Sequence, residues 1–186
     1  MTETIQNIET PVSSETLYQG RVISLRKDFA RLPSGLEVLR EVVTHPGGAV
    51  VFATLPDGKV LFVEQYRYAL GHSLLELPAG KLEPNEPPAL TIRRELLEET
   101  GYQADNWEEM GAVYTSPGFC NEKIWLYKAS GLTPAETLCV NGDGEEETLR
   151  LHQLSVSEIK EKVKNHQIMD AKTLCLLGLC LPEALS

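Results

Sequence analysis

The segment GKLEPNEPPALTIRRELLEETGY, residues 80–102, decides how the rest of this chain is read. A proline suits a helix start, because the first turn leaves its N–H groups unpaired anyway. Gly101 tolerates the left-handed backbone that closes helices. The pattern therefore predicts a helix over residues 87–100. At 3.6 residues per turn, Ala89, Leu90, Ile92, Leu96 and Leu97 group on one side, which would pack into a core. Glu95, Glu98 and Glu99 fall on the opposite arc, related by i to i+3 and i+4 spacing, so three like charges enter one small volume. Two readings are open at this point: an acidic face screened by solvent, or a set of oxygen ligands for a hard divalent cation.

Working outward, residues 48–55 and 59–66 are apolar, β-branched runs joined by Pro56-Asp57-Gly58, a strong hairpin signal. A short strand is expected near 74–77, then a break at Pro78-Ala79-Gly80. Strands near 109–114, 123–128 and 148–154 and helices near 156–165 and 170–181 complete the chain. Upstream, 21–25 and 37–43 flank a Pro33-Ser34-Gly35 turn and read as a hairpin, while the polar first dozen residues are expected to fray. Because an isolated two-stranded ribbon is marginal in water, the hairpin must pack on the main domain or on another subunit. We divide the chain into an arm, 1–45, and a main domain, 46–186. Strands mixed with a few helices, without regular βαβ alternation, indicate the α+β class.

At 186 residues and 42% hydrophobic content, one well-cored domain plus an arm is the expected size. The 27 acidic residues outnumber 17 basic ones for a net charge of −10, so no surplus of cations exists to displace the counterions of a nucleic acid. An anionic small molecule would need an imported cation. Cys120, Cys139, Cys175 and Cys180 show no metal-ligand spacing and are expected as buried thiols. His45, His72, His152 and His166 likewise show no ligand spacing. No apolar run reaches about 18 residues and the N-terminus is polar, so neither a membrane partner nor a secretory leader is expected. A reducing compartment, the cytoplasm, follows.

Residues 80–102 also resemble the Nudix box, G-x5-E-x7-R-E-U-x-E-E-x-G-U with U a bulky apolar residue. Gly80, Glu86, Arg94, Glu95, Leu96, Glu98, Glu99, Gly101 and Tyr102 fill every specified place, which chance would produce roughly once in a million chains of this length. The resemblance implies a Nudix fold, a mixed β-sheet sandwiched between α-helices, here with an N-terminal antiparallel β arm. It also implies a magnesium-dependent hydrolase, manganese being a substitute. Glu95, Glu98, Glu99 and the Ala79 carbonyl would be ligands. Arg94 would hold box glutamates in place rather than touch substrate, and Glu86 would serve the helix start.

The flanks, LELPAGKLE before the box, VEQYRYAL upstream and SPGFCNE after it, with Pro117 sixteen residues beyond Gly101, resemble the ADP-ribose pyrophosphatase branch. That likeness implies Arg67 at a substrate phosphate and Glu122 at the terminal ribose. It also suggests Phe119 against the substrate, and Arg21 or Arg40 of the arm stacking on adenine. Each has an ordinary alternative: an ion pair for Arg67, a strand-edge charge for Glu122, core packing for Phe119. In NGDGEEETLRLH, Glu145 is the candidate general base and Glu147 a further metal ligand, against a solvated loop as the plain reading. The expected reaction converts ADP-ribose to AMP and ribose 5-phosphate, with Glu145, Glu99 and Arg94 in the catalytic machinery. The alternatives are a Nudix hydrolase of another nucleotide sugar, NADH or a dinucleoside polyphosphate, and a non-hydrolytic ADP-ribose-binding module. The resemblance further implies a homodimer that exchanges its N-terminal strands.

Overall fold

The structure, a computed structural model, describes residues 8–135 and 149–184, and these form two compact units. The first comprises residues 1–46 and 114–122. It holds a three-stranded antiparallel sheet in the order β1-β2-β3: β1 (Thr10–Gln19), β2 (Ser24–Arg31) and β3 (Glu37–Thr44). The expected hairpin is thus a three-stranded ribbon. Residues from Thr10 onward do not fray but pair with β2 from Thr10↔Arg31 to Gln19↔Ser24. Polarity misled the reading here, since a strand can be held by backbone hydrogen bonds while its side chains remain in water, and every residue of β1 is exposed. Residues 20–23 form the turn, closed by Gly20 N–H on the Ile23 carbonyl at 2.9 Å, so β2 begins at Ser24 rather than 21. The segment 114–122 joins this unit through Val43, whose N–H donates to Phe119 O at 2.7 Å and whose carbonyl accepts from Asn121 N at 3.2 Å.

The second unit, 47–113 with 123–186, contains two sheets. One runs β7-β4-β9-β8, from β4 (Gly48–Ala53), β7 (Ala79–Lys81), β8 (Tyr102–Tyr114) and β9 (Lys123–Pro134). The other runs β10-β5-β6, from β5 (Val60–Arg67), β6 (His72–Glu76) and β10 (Arg150–Leu154). The first is mixed, because β4 lies parallel to β9 and antiparallel to β7. Strand β4 is buried along its whole length and feeds two cores by alternation. Val50 and Phe52 join Phe62, Leu126, Ile159, Leu176 and Leu177, the last three from α2 (Val156–Lys164) and α3 (Ala171–Cys180). Ala49, Val51 and Ala53 join Leu61, Ala129 and Ile92 and Leu96 of α1 (Pro88–Thr100). Helices therefore cover both faces of the central strand, which is the expected α+β sandwich. Among the described residues, no helix is long and apolar enough to cross a membrane.

Four expectations are corrected. Pro56-Asp57-Gly58 makes a turn, with Leu55 N–H on the Lys59 carbonyl at 2.8 Å, but not a hairpin: past the isolated Thr54↔Val60 bridge, β4 and β5 enter different sheets. Residues 79–81, expected as a break, pair with β4 from Gly48↔Lys81 to Val50↔Ala79; the Pro78 turn only redirects the chain. Helix α1 buries Thr91, Ile92, Leu96 and Thr100, whereas Ala89 and Leu90 are exposed. The helix offers the sheet a narrow stripe, and its first turn lies beyond it. Cys175 is exposed and Cys120 and Cys180 only partly buried, because the core stripe of α3 runs through Thr173, Leu176 and Leu177.

Gly101 ends α1 at φ 72, donating its N–H to Leu97 O at 2.8 Å. A Cβ there would clash in the left-handed region, so Gly101→Ala is expected to destabilise the protein by about 1 kcal/mol, read from urea unfolding midpoints. An unchanged midpoint would show that the cap carries no strain-sensitive role.

Candidate functional site

The box builds its site by bringing a helix edge onto a strand turn. Glu95 and Glu99 do not lie on the far side of α1, as the wheel suggested; they border the buried stripe and are themselves partly buried. Glu99 Oε2 accepts from the Ala79 N–H at 3.0 Å, which joins α1 to the start of β7. Burial, and next the charge of Glu95, pushes the Glu99 carboxyl up to about 8. Glu95 lies directly over Gly80: a Cβ at that position would fall inside the Glu95 carboxyl group. A glycine is needed there for close approach rather than for backbone freedom. Burial also raises the Glu95 carboxyl, with Glu98 adding repulsion, against the pull of Arg94.

Arg94 organises the other carboxylates. Its Nε and Nη2 fork onto Glu86 at 3.1 and 3.0 Å, while Nη1 reaches Glu95 at 2.8 Å and Glu98 at 2.9 Å. These glutamate side chains are only 16% and 13% exposed, so the arginine holds them in a medium where its charge counts. Glu86 also accepts from Thr91 Oγ1 at 2.8 Å and from Glu83 N–H at 3.3 Å, so it ties the loop to the helix start. Its hydrogen bonds to Arg94 hold its carboxyl below the usual range. Arg94 is thus a side chain that orients acids.

With Glu95 and Glu98 both turned onto Arg94, the described residues do not present three converged metal ligands. The donor set nonetheless fits a hard cation. Glu95, Glu98 and Glu99 are all oxygen donors, and burial first, with repulsion from a neighbouring acid added, disfavours ionisation of Glu95 and Glu99.

Arg67 is in the same unit, and it forks onto Glu76 with Nε at 2.7 Å and Nη2 at 2.6 Å. The sequence reading allowed it an exposed carboxylate as partner; the partner is a buried one, 1% exposed. Glu76 also pairs with Lys172, which reaches Asp170 at 3.0 Å. Glu76, Lys172 and Asp170 were missed. A lone charge inside the apolar run Leu74-Leu75-Glu76-Leu77 was the available signal, since such a charge is buried only with partners. Burial alone would raise the Glu76 carboxyl, but Arg67 and Lys172 outweigh it and hold it low.

Glu122, Phe119, Arg40 and Arg21 belong to the first unit. Glu122 accepts from Thr115 Oγ1 at 2.6 Å and lies 3.4 Å from His45 Nδ1. Phe119 is exposed, which removes its core-packing alternative. Arg40 forks onto Glu9 at 3.0 and 2.7 Å, and Arg21 sits in the β1–β2 turn. Glu145 and Glu147 lie outside the described residues.

An acid-bearing loop and helix, with an arginine disciplining the acids, defines a class of site: one that receives a divalent cation and, through it, an anionic substrate. Residues 44–175 match the NUDIX domain. The chain is 42% identical to the methanol dehydrogenase activator of Bacillus methanolicus over 178 residues, 95% of each chain. It is 36% identical to the ADP-ribose pyrophosphatase of Bacillus subtilis (strain 168), again over 178 residues and 95% of each. A solved structure of an ADP compounds hydrolase shares the fold at a TM-score of 0.79 and 19% identity, covering 92% of this chain and 91% of that one. The chain belongs to the Nudix family, and it is a Nudix hydrolase.

Two predictions follow from these charges. Replacing Arg94 by Met leaves Glu86, Glu95 and Glu98 without their shared cation and should cost about 2–3 kcal/mol in urea unfolding; a loss below about 0.5 kcal/mol would mean the clamp is not structural. For Glu76, a folded-state carboxyl held below its ordinary 4.5 means that the unfolded chain takes up its proton first as pH falls. Its contribution is complete above that value and disappears as pH drops through the lowered one. The stability gap between the protein and its Glu76→Gln variant should therefore be widest near neutrality and shrink below pH 4.5; a gap independent of pH between 7 and 3 would contradict the assignment.

Proposed function

We propose that this Nudix hydrolase cleaves the pyrophosphate of ADP-ribose to AMP and ribose 5-phosphate, with magnesium as its metal and manganese as a substitute. The observation that carries the reading is the intact box geometry, with Glu99 and Glu95 brought onto the Ala79–Gly80 turn. The end-to-end similarity to an ADP-ribose pyrophosphatase supports the choice of substrate.

Glu95, Glu98, Glu99 and the Ala79 carbonyl would hold the metal, joined by Glu147. When bound, the cation neutralises the diphosphate and makes the attacking water more acidic. The chain's own residues do the positioning. Arg94 releases or retains Glu95 and Glu98 as the ligand set requires, Arg67 meets a phosphate, and Glu145 takes the proton from water. Glu122 accepts from the hydroxyls of the terminal ribose, its orientation set by Thr115 and His45. Phe119 offers an exposed ring to the substrate, and Arg21 or Arg40 stacks on adenine. The arm, residues 1–45, exchanges with a second copy to make a homodimer, for which the exposed residues of β1 supply contact surface. The partner is a small nucleoside diphosphate rather than nucleic acid or membrane, and the free thiols suit the cytoplasm.

Incubation with ADP-ribose and magnesium should yield AMP and ribose 5-phosphate, and chelation should stop it. Glu99→Gln should lower kcat by about 10²–10³-fold, as expected when the cation that would stabilise the transition-state charge is held less well. Faster hydrolysis of another nucleotide sugar, NADH or a dinucleoside polyphosphate would reassign the substrate, and full activity in Glu99→Gln would remove the metal assignment.

A further inference from the structure

Glu76 ends β6 as a carboxylate almost sealed from water, where an unpaired charge would be prohibitive. Two cations reach it. Arg67, at the end of β5, uses Nε and Nη2. Lys172, in the first turn of α3, stands between Glu76 and Asp170. Asp170 caps that helix, accepting from Thr173 N–H at 3.0 Å and Thr173 Oγ1 at 2.7 Å. Thr173 Oγ1 in turn accepts from the Leu77 N–H at 2.9 Å, two residues before Ala79. The network therefore binds β5, β6 and α3 together next to the turn on which Glu99 rests.

This geometry leaves part of Arg67 over. The fork to Glu76 occupies the Nε and Nη2 side of the guanidinium, so the Nη1 side faces away from that carboxylate. Arg67 is 37% exposed, against 14% for Lys172 and 2% for Glu76. A guanidinium clamped along one edge has lost its rotamer freedom before any ligand arrives. The charges also balance: Glu76 and Asp170 against Arg67 and Lys172. Without Lys172 the cluster would carry a net negative charge, with Arg67 as its sole cation against buried Glu76 and partly buried Asp170. Both cations also act on Glu99.

We propose that Glu76 and Lys172 are positioning residues for Arg67: Glu76 fixes the guanidinium with its Nη1 side presented to one phosphate of a diphosphate, and Lys172 cancels the second negative charge, so that Arg67 remains available to the ligand. The inference rests on the diphosphate-hydrolase reading above.

The test uses the full chain and its Lys172→Met, Lys172→Arg and Glu76→Gln variants. Calorimetry with inorganic pyrophosphate in excess magnesium is run beside steady-state hydrolysis of ADP-ribose. Lys172→Met should weaken pyrophosphate binding and raise KM by about tenfold, with a much smaller change in kcat, because one charge in the phosphate-facing network is lost. Lys172→Arg should restore most of the affinity, and Glu76→Gln should behave like Lys172→Met. Should Glu76→Gln fail to fold, the two Lys172 variants decide alone. A purely structural role would lower the melting temperature of Lys172→Met and leave its pyrophosphate affinity and KM at the unmutated values, which overturns the proposal. Failure of the unmutated protein to bind pyrophosphate also overturns it. Pyrophosphate binding without ADP-ribose cleavage would sink the substrate reading alone, and the affinity comparison would still decide the positioning roles.

Discussion

A carboxylate lying against a backbone amide holds this architecture together. Glu99 accepts the Ala79 N–H from a partly buried position. For that contact to exist, α1 must lie close on the sheet and end sharply at Gly101, and Gly80 must have no side chain where Glu95 descends. The turn must be firm as well. Val51 N–H on the Pro78 carbonyl at 3.0 Å and the short pairing of β7 with β4 provide this. Strand β4 is buried on both faces, so the turn is mounted on the most rigid part of the unit.

The electrostatic plan explains how a chain with net charge −10 handles anionic chemistry. Three cations near the site are committed in advance: Arg94 to three glutamates, Arg67 and Lys172 to Glu76 and Asp170. Committed cations orient acids and present what edges remain, rather than forming a broad basic surface. Such a design suits a compact anionic ligand. Much of the cost of ordering these side chains is met during folding, so binding need not supply it.

Much of this was legible because short-range chemistry dictates it. The helix and its glycine stop, the turn at Pro56-Asp57-Gly58, the start of α2 at Val156 and the box glutamates all follow from residues within a few positions of one another, whereas the divergence of β4 and β5 into different sheets does not. Less legible were elements whose existence depends on a distant partner. Strand β7 is three residues long and exists because β4 is beside it. Strand β1 has no buried side chain to betray it and is held by its ladder to β2.

The same division holds within the site. Residue type and spacing along one helix were enough to specify which acids would cluster, because i to i+4 neighbours meet whatever surrounds them; that Arg94 would hold them was implied by the resemblance to the box, and of its contacts with those acids only the one to Glu98 has i to i+4 spacing. The depth of those acids was a different matter: a helical wheel has no sheet in it, so it placed Glu95 and Glu99 in solvent when packing against β4 and β7 put them at the border of the core. The union of Arg67, Glu76 and Lys172 joins residues up to 96 positions apart in the chain for the ion pair of Glu76 with Lys172. Nothing local encodes such a meeting; it arises when β5, β6 and α3 are packed and a buried charge must be neutralised where it lies.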